Sequence, residues 1–218
     1  MTQAASSTGT DIAGWHGKLP VAGDFVTRRL HSVFVEAWDN WLSNGLTGLQ
    51  ERDAAHWREH YLASPPWRFV ITQDFMPSPL NAVAWAGVII PSIDRVGRYY
   101  PLTLVSRLNA IPASHREQAG LWSWLLQLED LAVDAMQDDW SIEQLDAELL
   151  NLGSPDRVGP MLGQLNEDGP WTSFFDACLS SRAPSGDGRC VWYSGSGLQT
   201  NKLIVTERRD DSVVELWS

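Results

Sequence analysis

A compact charged loop is the part of this chain with the most potential for chemistry. Asp94, Arg95 and Arg98 lie between the apolar run 85–90 and a second apolar run that begins at Leu102. Short apolar runs rich in β-branched residues are typical of buried strands, which would place these charges on a loop between two core strands. Binding and catalytic residues concentrate on loops held by such a scaffold. We therefore expect any functional site to lie here.

Three further charged residues belong to the same candidate set. Lys18 and Asp24 lie in the stretch 14–25, where glycine, proline and charge alternate with large apolar residues, and Arg68 lies in a predicted strand. Two interpretations remain open for the set. The charges could pair with one another and hold the loop in one conformation. Alternatively, some arginines stay exposed and bind an acidic or phosphorylated partner through the bidentate guanidinium fork.

A match to HxxEH at His56, Glu59 and His60 is the main enzymatic alternative. Two histidines at i and i+4 on a helix can share a zinc ion while the glutamate acts as general base, which would make the protein a zinc-dependent hydrolase. The segment is short, however, and a third ligand must come from elsewhere. A solvated helix face explains the same residues, and we predict no metal, no cofactor and no catalytic residues.

The other candidate motifs are incomplete. Gly195-Ser196-Gly197 is not followed by the residues of a P-loop or a dinucleotide-binding motif, and no GxSxG is present. The two cysteines, Cys178 and Cys190, form no CxxC and are interpreted as reduced thiols of a cytoplasmic protein.

The elements that position these residues follow from hydrophobic periodicity. We predict strands at 13–19, 67–71, 85–90, from 102 to 105, and at 189–193, 202–206 and 213–217. We predict helices from an N-cap at Ser32, at 52–62, at 117–136, after a capping box at Ser141 to about 152, and at 171–181. Alternating strands and helices favour an α/β fold, a mixed β-sheet covered by helices in a three-layer sandwich, with α+β as the alternative.

Length and composition limit the remaining possibilities. The 218 residues suit one domain at 13–218 after a disordered lead at 1–12, and the Gly/Pro-rich stretch 153–169 is the best candidate for a sub-domain break. A formal net charge of −11 argues against nucleic acid as a partner. The sequence lacks both a leader and an apolar run of membrane-spanning length, so we expect a cytoplasmic protein without direct membrane insertion.

Four stretches together resemble one protein family. Residues 14–25 (GWHGKLPVAGDF) and 85–103 (WAGVIIPSIDRVGRYYPLT) are similar to the two signature stretches of the TagF (ImpM) family of bacterial type VI secretion accessory proteins. Residues 34–42 and 64–69 between them also resemble the family pattern. The resemblance covers roughly residues 14–108, in the family order, and the part after Glu117 is only loosely similar.

The resemblance implies a non-enzymatic α/β protein that regulates type VI secretion after translation, generally as a repressor. The implied partner is the forkhead-associated-domain scaffold protein of that system. Besides the zinc hydrolase, a structural component of the secretion apparatus is the remaining alternative. The sequence predicts neither the oligomeric state nor the surface that binds the partner.

Overall fold

The computed structural model describes residues 12–157, 169–180, 188–195, 201–207 and 213–217. The predicted disordered lead at 1–12 lies outside the described residues except for Ile12. The same holds for most of the proposed break at 153–169 and for Ser196 and Gly197 of the glycine motif. The division into domains therefore stays a prediction.

Within these residues the secondary structure alternates between strands and helices. The strands are β1 (Gly14–Gly17), β2 (Val26–Arg28), β3 (Trp67–Ile71), β4 (Ala84–Ile90), β5 (Leu102–Leu108), β6 (Cys190–Ser194) and β7 (Lys202–Thr206). The α-helices are α1 (Ser32–Arg52), α2 (Trp57–Ala63), α3 (His115–Gln137), α4 (Ile142–Leu152) and α5 (Pro170–Leu179). Short 3₁₀ helices are Leu80–Ala82, Pro155–Arg157 and Val213–Trp217.

The strands form one sheet in the order β2-β1-β5-β4-β3-β6-β7. The predicted α/β architecture, a sheet covered by helices, is confirmed. The strand directions differ from the mixed sheet that we expected, because every described pair is antiparallel. The early strand–helix alternation suggested parallel crossovers, but α1 and α2 join β2 to β3, which are not neighbours in the sheet.

The sheet is the middle layer between two separate hydrophobic cores. Along β3, Phe69 and Ile71 face the core under α1 and α2, whereas Val70 faces the core under α3, α4 and α5. This alternation follows from the two-residue period of a strand, and it explains why the strand sequences are apolar throughout. A side chain such as Phe69, which is fully buried, stabilises the fold by roughly 2–3 kcal/mol.

The α1 side of the sheet is the more aromatic one. Trp38 is fully buried, stacks on Phe69 with ring centroids 5.2 Å apart, and donates a hydrogen bond from Nε1 to Thr103 Oγ1 at 2.9 Å. The predicted N-cap of α1 was wrong by one residue. His31 is the N-cap, because its Nδ1 accepts from the backbone N–H of Val33 at 3.3 Å.

Two serine caps fix the helices of the opposite layer. Ser114 and Glu117 form a reciprocal capping box that begins α3 two residues before the predicted start. Ser141 accepts a hydrogen bond from the backbone N–H of Gln144, and α4 ends at Leu152 as predicted. The two caps fix where α3 and α4 begin, and the apolar stripe of α3 covers the centre of the sheet.

The predicted strand at 213–217 is wrong, because this segment is a 3₁₀ helix that packs on α1. Its apolar residues suggested a strand, but both Val213 and Trp217 are buried against Gly45 of α1, where the absence of a side chain leaves room for them. The carbonyl of Leu216 accepts a hydrogen bond from Trp67 Nε1 at 3.0 Å. Tertiary packing thus decides the conformation of this segment.

Two smaller differences concern the first hundred residues. The edge strand β2 was not predicted, since its three residues are too few to show a period. The predicted helix at 52–62 begins instead at Trp57, because Arg52 is the last residue of α1. No helix among the described residues combines the length and apolarity that crossing a bilayer requires.

Candidate functional site

Five of the six charged candidates meet at one end of the sheet. Lys18 and Asp24 lie on the connection between β1 and β2, and Asp94, Arg95 and Arg98 lie on the connection between β4 and β5. We call these five residues the charged cluster. The two connections come together because β1 pairs with β5, which places the turns that follow β1 and precede β5 side by side.

Asp94 is the centre of the charged cluster. Its Oδ2 accepts hydrogen bonds from Lys18 Nζ at 2.6 Å and from Arg98 Nε at 2.7 Å. Its Oδ1 accepts from the backbone N–H of Val96 at 3.0 Å and of Arg98 at 2.9 Å. Burial alone would raise the pKa of Asp94, but the hydrogen bonds from Lys18 and Arg98 outweigh it and hold the pKa well below its usual range.

Backbone contacts lock the two connections to each other. The backbone N–H of Arg95 donates to the carbonyl of Ala22 at 3.0 Å, and Ser92 Oγ donates to the carbonyl of Lys18 at 2.7 Å. Arg98 Nη2 donates to the carbonyl of Gly23. The arrangement is therefore a preorganised surface and needs no rearrangement to present its side chains.

Gly97 makes the tight turn between these residues possible. Its φ of 86° lies in the left-handed region that side chains disfavour, and its N–H donates to the carbonyl of Asp94 at 2.9 Å. The turn brings Arg98 back onto Asp94. A side chain at this position would strain the turn and so disfavour the ion pair.

The outer face of the cluster is both cationic and apolar. Arg95 is exposed, and among the described residues its side chain has no ion pair or hydrogen bond. The neighbouring Val96 is 64% exposed and Phe25 is 43% exposed. Arg98 differs from Arg95, because its guanidinium is half-exposed but already bound to Asp94. Arg95 is thus the cation that a partner could engage without displacing an internal contact.

Arg68 is the candidate that the structure places elsewhere. It is buried on the α3 side of the sheet, where its guanidinium lies over the rings of Trp122 and Tyr193 and its Nε is 3.0 Å from Glu129 Oε2. Burial lowers the pKa of Arg68 and raises the pKa of Glu129 to about 7, and the attraction within the pair offsets only part of each shift. Arg68 therefore belongs to the core.

The histidines of the HxxEH motif share a different contact. His56 Nδ1 lies 3.2 Å from one carboxylate oxygen of Asp53, and His60 Nε2 lies 3.3 Å from the other. Both histidines are exposed, and His56 precedes α2 as its N-cap. No group of three or more histidine, cysteine or acidic side chains within the described ranges could hold a metal ion.

Sequence reasoning missed an aromatic and polar group beside the charged cluster. The His16 ring stacks on Phe25 with centroids 5.5 Å apart, and the Tyr100 ring meets both edge to face. His16 Nδ1 lies 2.8 Å from Thr27 Oγ1, and its Nε2 lies 3.8 Å from Asp39 Oδ1. Apart from Thr27, these residues come from three of the stretches that carry the family resemblance, namely 14–25, 34–42 and 85–103. Their presence in the family stretches was the one sequence signal that could have pointed to this group.

Comparison with known proteins supports the resemblance. Residues 14–152 match a family model described as the TagF N-terminal domain, type VI secretion system-associated. The crystal structure of PA0076 from Pseudomonas aeruginosa PAO1 is similar to this chain, with 32% sequence identity and a TM-score of 0.65. The similarity covers 89% of this chain and 88% of that chain. A comparison with curated proteins finds no match.

Proposed function

The chain belongs to the TagF family of type VI secretion-associated proteins, and on that premise we propose that it is a non-enzymatic regulator of the secretion system. In this proposal it represses secretion after translation by binding the forkhead-associated-domain scaffold protein of the system. It acts in the cytoplasm. The charged cluster is the surface that makes the contact.

The observation that carries the proposal is that the charged cluster contains both paired and unpaired cationic side chains. Asp94 holds Lys18 and Arg98 in fixed positions, and this leaves Arg95 exposed beside the apolar side chains of Val96 and Phe25. An arginine beside exposed apolar side chains is a typical composition of an interaction hot spot. Its guanidinium fork suits a carboxylate or phosphate group on the partner.

The non-enzymatic part rests on the state of the nucleophilic side chains. Cys178 and Cys190 are both buried, and burial raises the pKa of both thiols, which disfavours the reactive thiolate. The histidines of the HxxEH motif contact Asp53, which leaves the zinc interpretation with no ligand set among the described residues.

A calorimetric titration of the protein against the scaffold from its own secretion cluster tests the contact. We expect saturable binding, and we expect Arg95→Ala to weaken it by roughly tenfold or more, as for an exposed arginine at an interface centre. Arg116→Ala is the matched control, because Arg116 is an exposed arginine on α3 that lies near Leu108, at the end of β5 away from the charged cluster. Absence of binding by the wild-type protein would refute the scaffold as the partner.

Complementation then tests repression itself. A strain that lacks the gene should secrete more, and the wild-type chain should restore the lower level. Arg95→Ala should accumulate to the wild-type level in cells yet fail to restore repression. If Arg95→Ala represses normally, the charged cluster is not the surface of repression, even if the scaffold binds.

A further inference from the structure

An open groove of about 760 Å³ lies between the β1–β2 hairpin and the N-terminal half of α1. We call it the acidic groove. Its walls include His16, Phe25, Leu30, Val35, Glu36 and Asp39. Phe25 separates it from the charged cluster, because this ring stacks on His16 while Lys18 Nζ lies 4.2 Å from its centroid.

The charge of the acidic groove is negative. Glu36 and Asp39 contribute two carboxylates, and the described residues that line the groove include no lysine or arginine. His16 adds no positive charge at neutral pH, because burial lowers its pKa and the attraction of Asp39 offsets this only partly. A ligand that complements these walls must therefore be cationic.

A buried polar atom without a partner indicates where that ligand would bind. His16 is 5% exposed, and its Nε2 has no hydrogen-bond partner among the described residues, since Asp39 Oδ1 is 3.8 Å away. Burial first, and then the hydrogen bond and charge of the nearby Asp39 carboxylate, raise the pKa of Tyr100, which lies behind the groove wall. A buried nitrogen without a partner is rare in folded proteins, and the His16 nitrogen faces this same carboxylate.

We propose that the acidic groove binds the guanidinium group of an arginine side chain from a protein partner. Asp39 accepts two parallel N–H donors from the guanidinium. In the tautomer whose Nδ1–H donates to Thr27 Oγ1, His16 Nε2 presents a lone pair to a further N–H. The guanidinium plane also stacks on aromatic surface, which the exposed part of Phe25 supplies.

The apolar walls favour a long side chain over a small free cation. Leu30 and Val35 line the groove and cover the methylene groups of an arginine, whereas a metal ion or ammonium ion gains nothing from them. Lysine would reach Asp39 as a point charge but could not make the bidentate contact or the planar stack. The inference goes beyond the proposed function, because it stands whether or not the scaffold supplies the arginine.

An NMR titration of the full chain with N-acetyl-arginine methylamide tests the proposal. We expect saturable shifts of the His16 ring signals and of the Asp39 backbone amide. The citrulline analogue, which has the same shape without the charge, should bind at least roughly tenfold more weakly. The lysine analogue should also bind more weakly than arginine. Equal affinity for citrulline, or for lysine, would overturn the assignment of a guanidinium site.

Variants locate the site and separate binding from folding. Asp39→Asn should weaken the arginine compound by roughly tenfold, because it removes the charge opposite the guanidinium. Asp134→Asn is the matched control, since it makes the same change on an exposed residue of α3. Glu36→Gln should also weaken the arginine compound, but less than Asp39→Asn does. Because Glu36 is exposed, this variant should fold, so it still tests the groove if Asp39→Asn unfolds. Shifts that persist unchanged in Asp39→Asn and Glu36→Gln would refute the acidic groove.

Discussion

Lys18 Nζ and Asp94 Oδ2 lie 2.6 Å apart in a site closed to solvent, although 76 residues separate them along the chain. This buried pair fastens the β1–β2 connection to the β4–β5 connection. It therefore fixes the backbone from which the exposed side chains around it project, that of Arg95 included.

Removing the carboxylate of this pair should be strongly destabilising. Asp94→Ala leaves the Lys18 ammonium buried without a partner and also frees two backbone N–H groups, so we expect the melting temperature to fall by more than about 5 °C. Asp24→Ala is the control, because Asp24 lies 3.5 Å from Arg98 but is 79% exposed. Differential scanning calorimetry of both variants measures this. Equal melting of Asp94→Ala and wild type would show that the pair does not brace the loops.

Asp94 should also make the protein sensitive to acid. Its folded-state pKa lies below the ordinary value of 3.8, so its contribution to stability is present above pH 3.8 and is lost as the pH falls below it. Urea unfolding at pH 6 and pH 3 measures the fall in the free energy of unfolding. The fall should be smaller in Asp94→Asn, which cannot titrate. A fall as large in that variant as in wild type would assign the acid sensitivity to other groups.

Glu129 should produce a pH dependence of the opposite sign. Burial raises its folded-state pKa from 4.5 to about 7, so its contribution is fully present below pH 4.5 and is lost as the pH rises through 7. Glu129→Gln should flatten this part of the stability profile, although it also deprives Arg68 of its counter-charge and lowers stability overall. The measured quantity is the slope of the free energy of unfolding against pH between 4.5 and 7. Glu51→Gln, on the exposed end of α1, should leave it unchanged, and a wild-type slope in Glu129→Gln would contradict the assignment.

Gly45→Ala should destabilise the protein despite improving the helix. Alanine favours a helix over glycine by about 1 kcal/mol, but a Cβ at this position would clash with Val213 and lie 3.2 Å from Trp217. We expect a net loss of stability in chemical denaturation. Asn44→Ala, at the exposed neighbouring position, gains helix propensity without the clash and should be neutral or stabilising. A stabilised Gly45→Ala would show that Val213–Trp217 can move away from α1.

The fold was predictable where one physical signal dominated. The apolar runs predicted the bounds of β3 and β4 to within one residue. The serine cap predicted the start and end of α4, and the start of α3 was predicted to within two residues. The segment Val213–Trp217 was not predictable, because a short apolar run fits a strand as well as a short buried helix. Strand order and direction depend on distant pairings that no local pattern contains.

The candidate site was partly predictable for a related reason. The charged cluster follows from charges on the predicted loops, whereas Arg68 lies within a predicted strand whose buried face was not predicted, and it lies in the α3 core. His16 and Asp39 were not selected, because one lies in a strand and the other on a helix, and only the tertiary structure brings them within 3.8 Å. Arg95 and Arg98 differ because only Arg98 is paired with Asp94, and this pairing is likewise a property of the folded chain.

The 76-residue separation of Lys18 and Asp94 has a kinetic consequence. The hairpins β1–β2, β3–β4 and β4–β5 join neighbouring segments and close small loops, whereas β1 cannot pair with β5 until both strands are present. Long-range pairings of this kind form late in folding. During synthesis, a nascent chain that has not yet released the β4–β5 connection from the ribosome has no Lys18–Asp94 pair, so the charged cluster is not yet assembled.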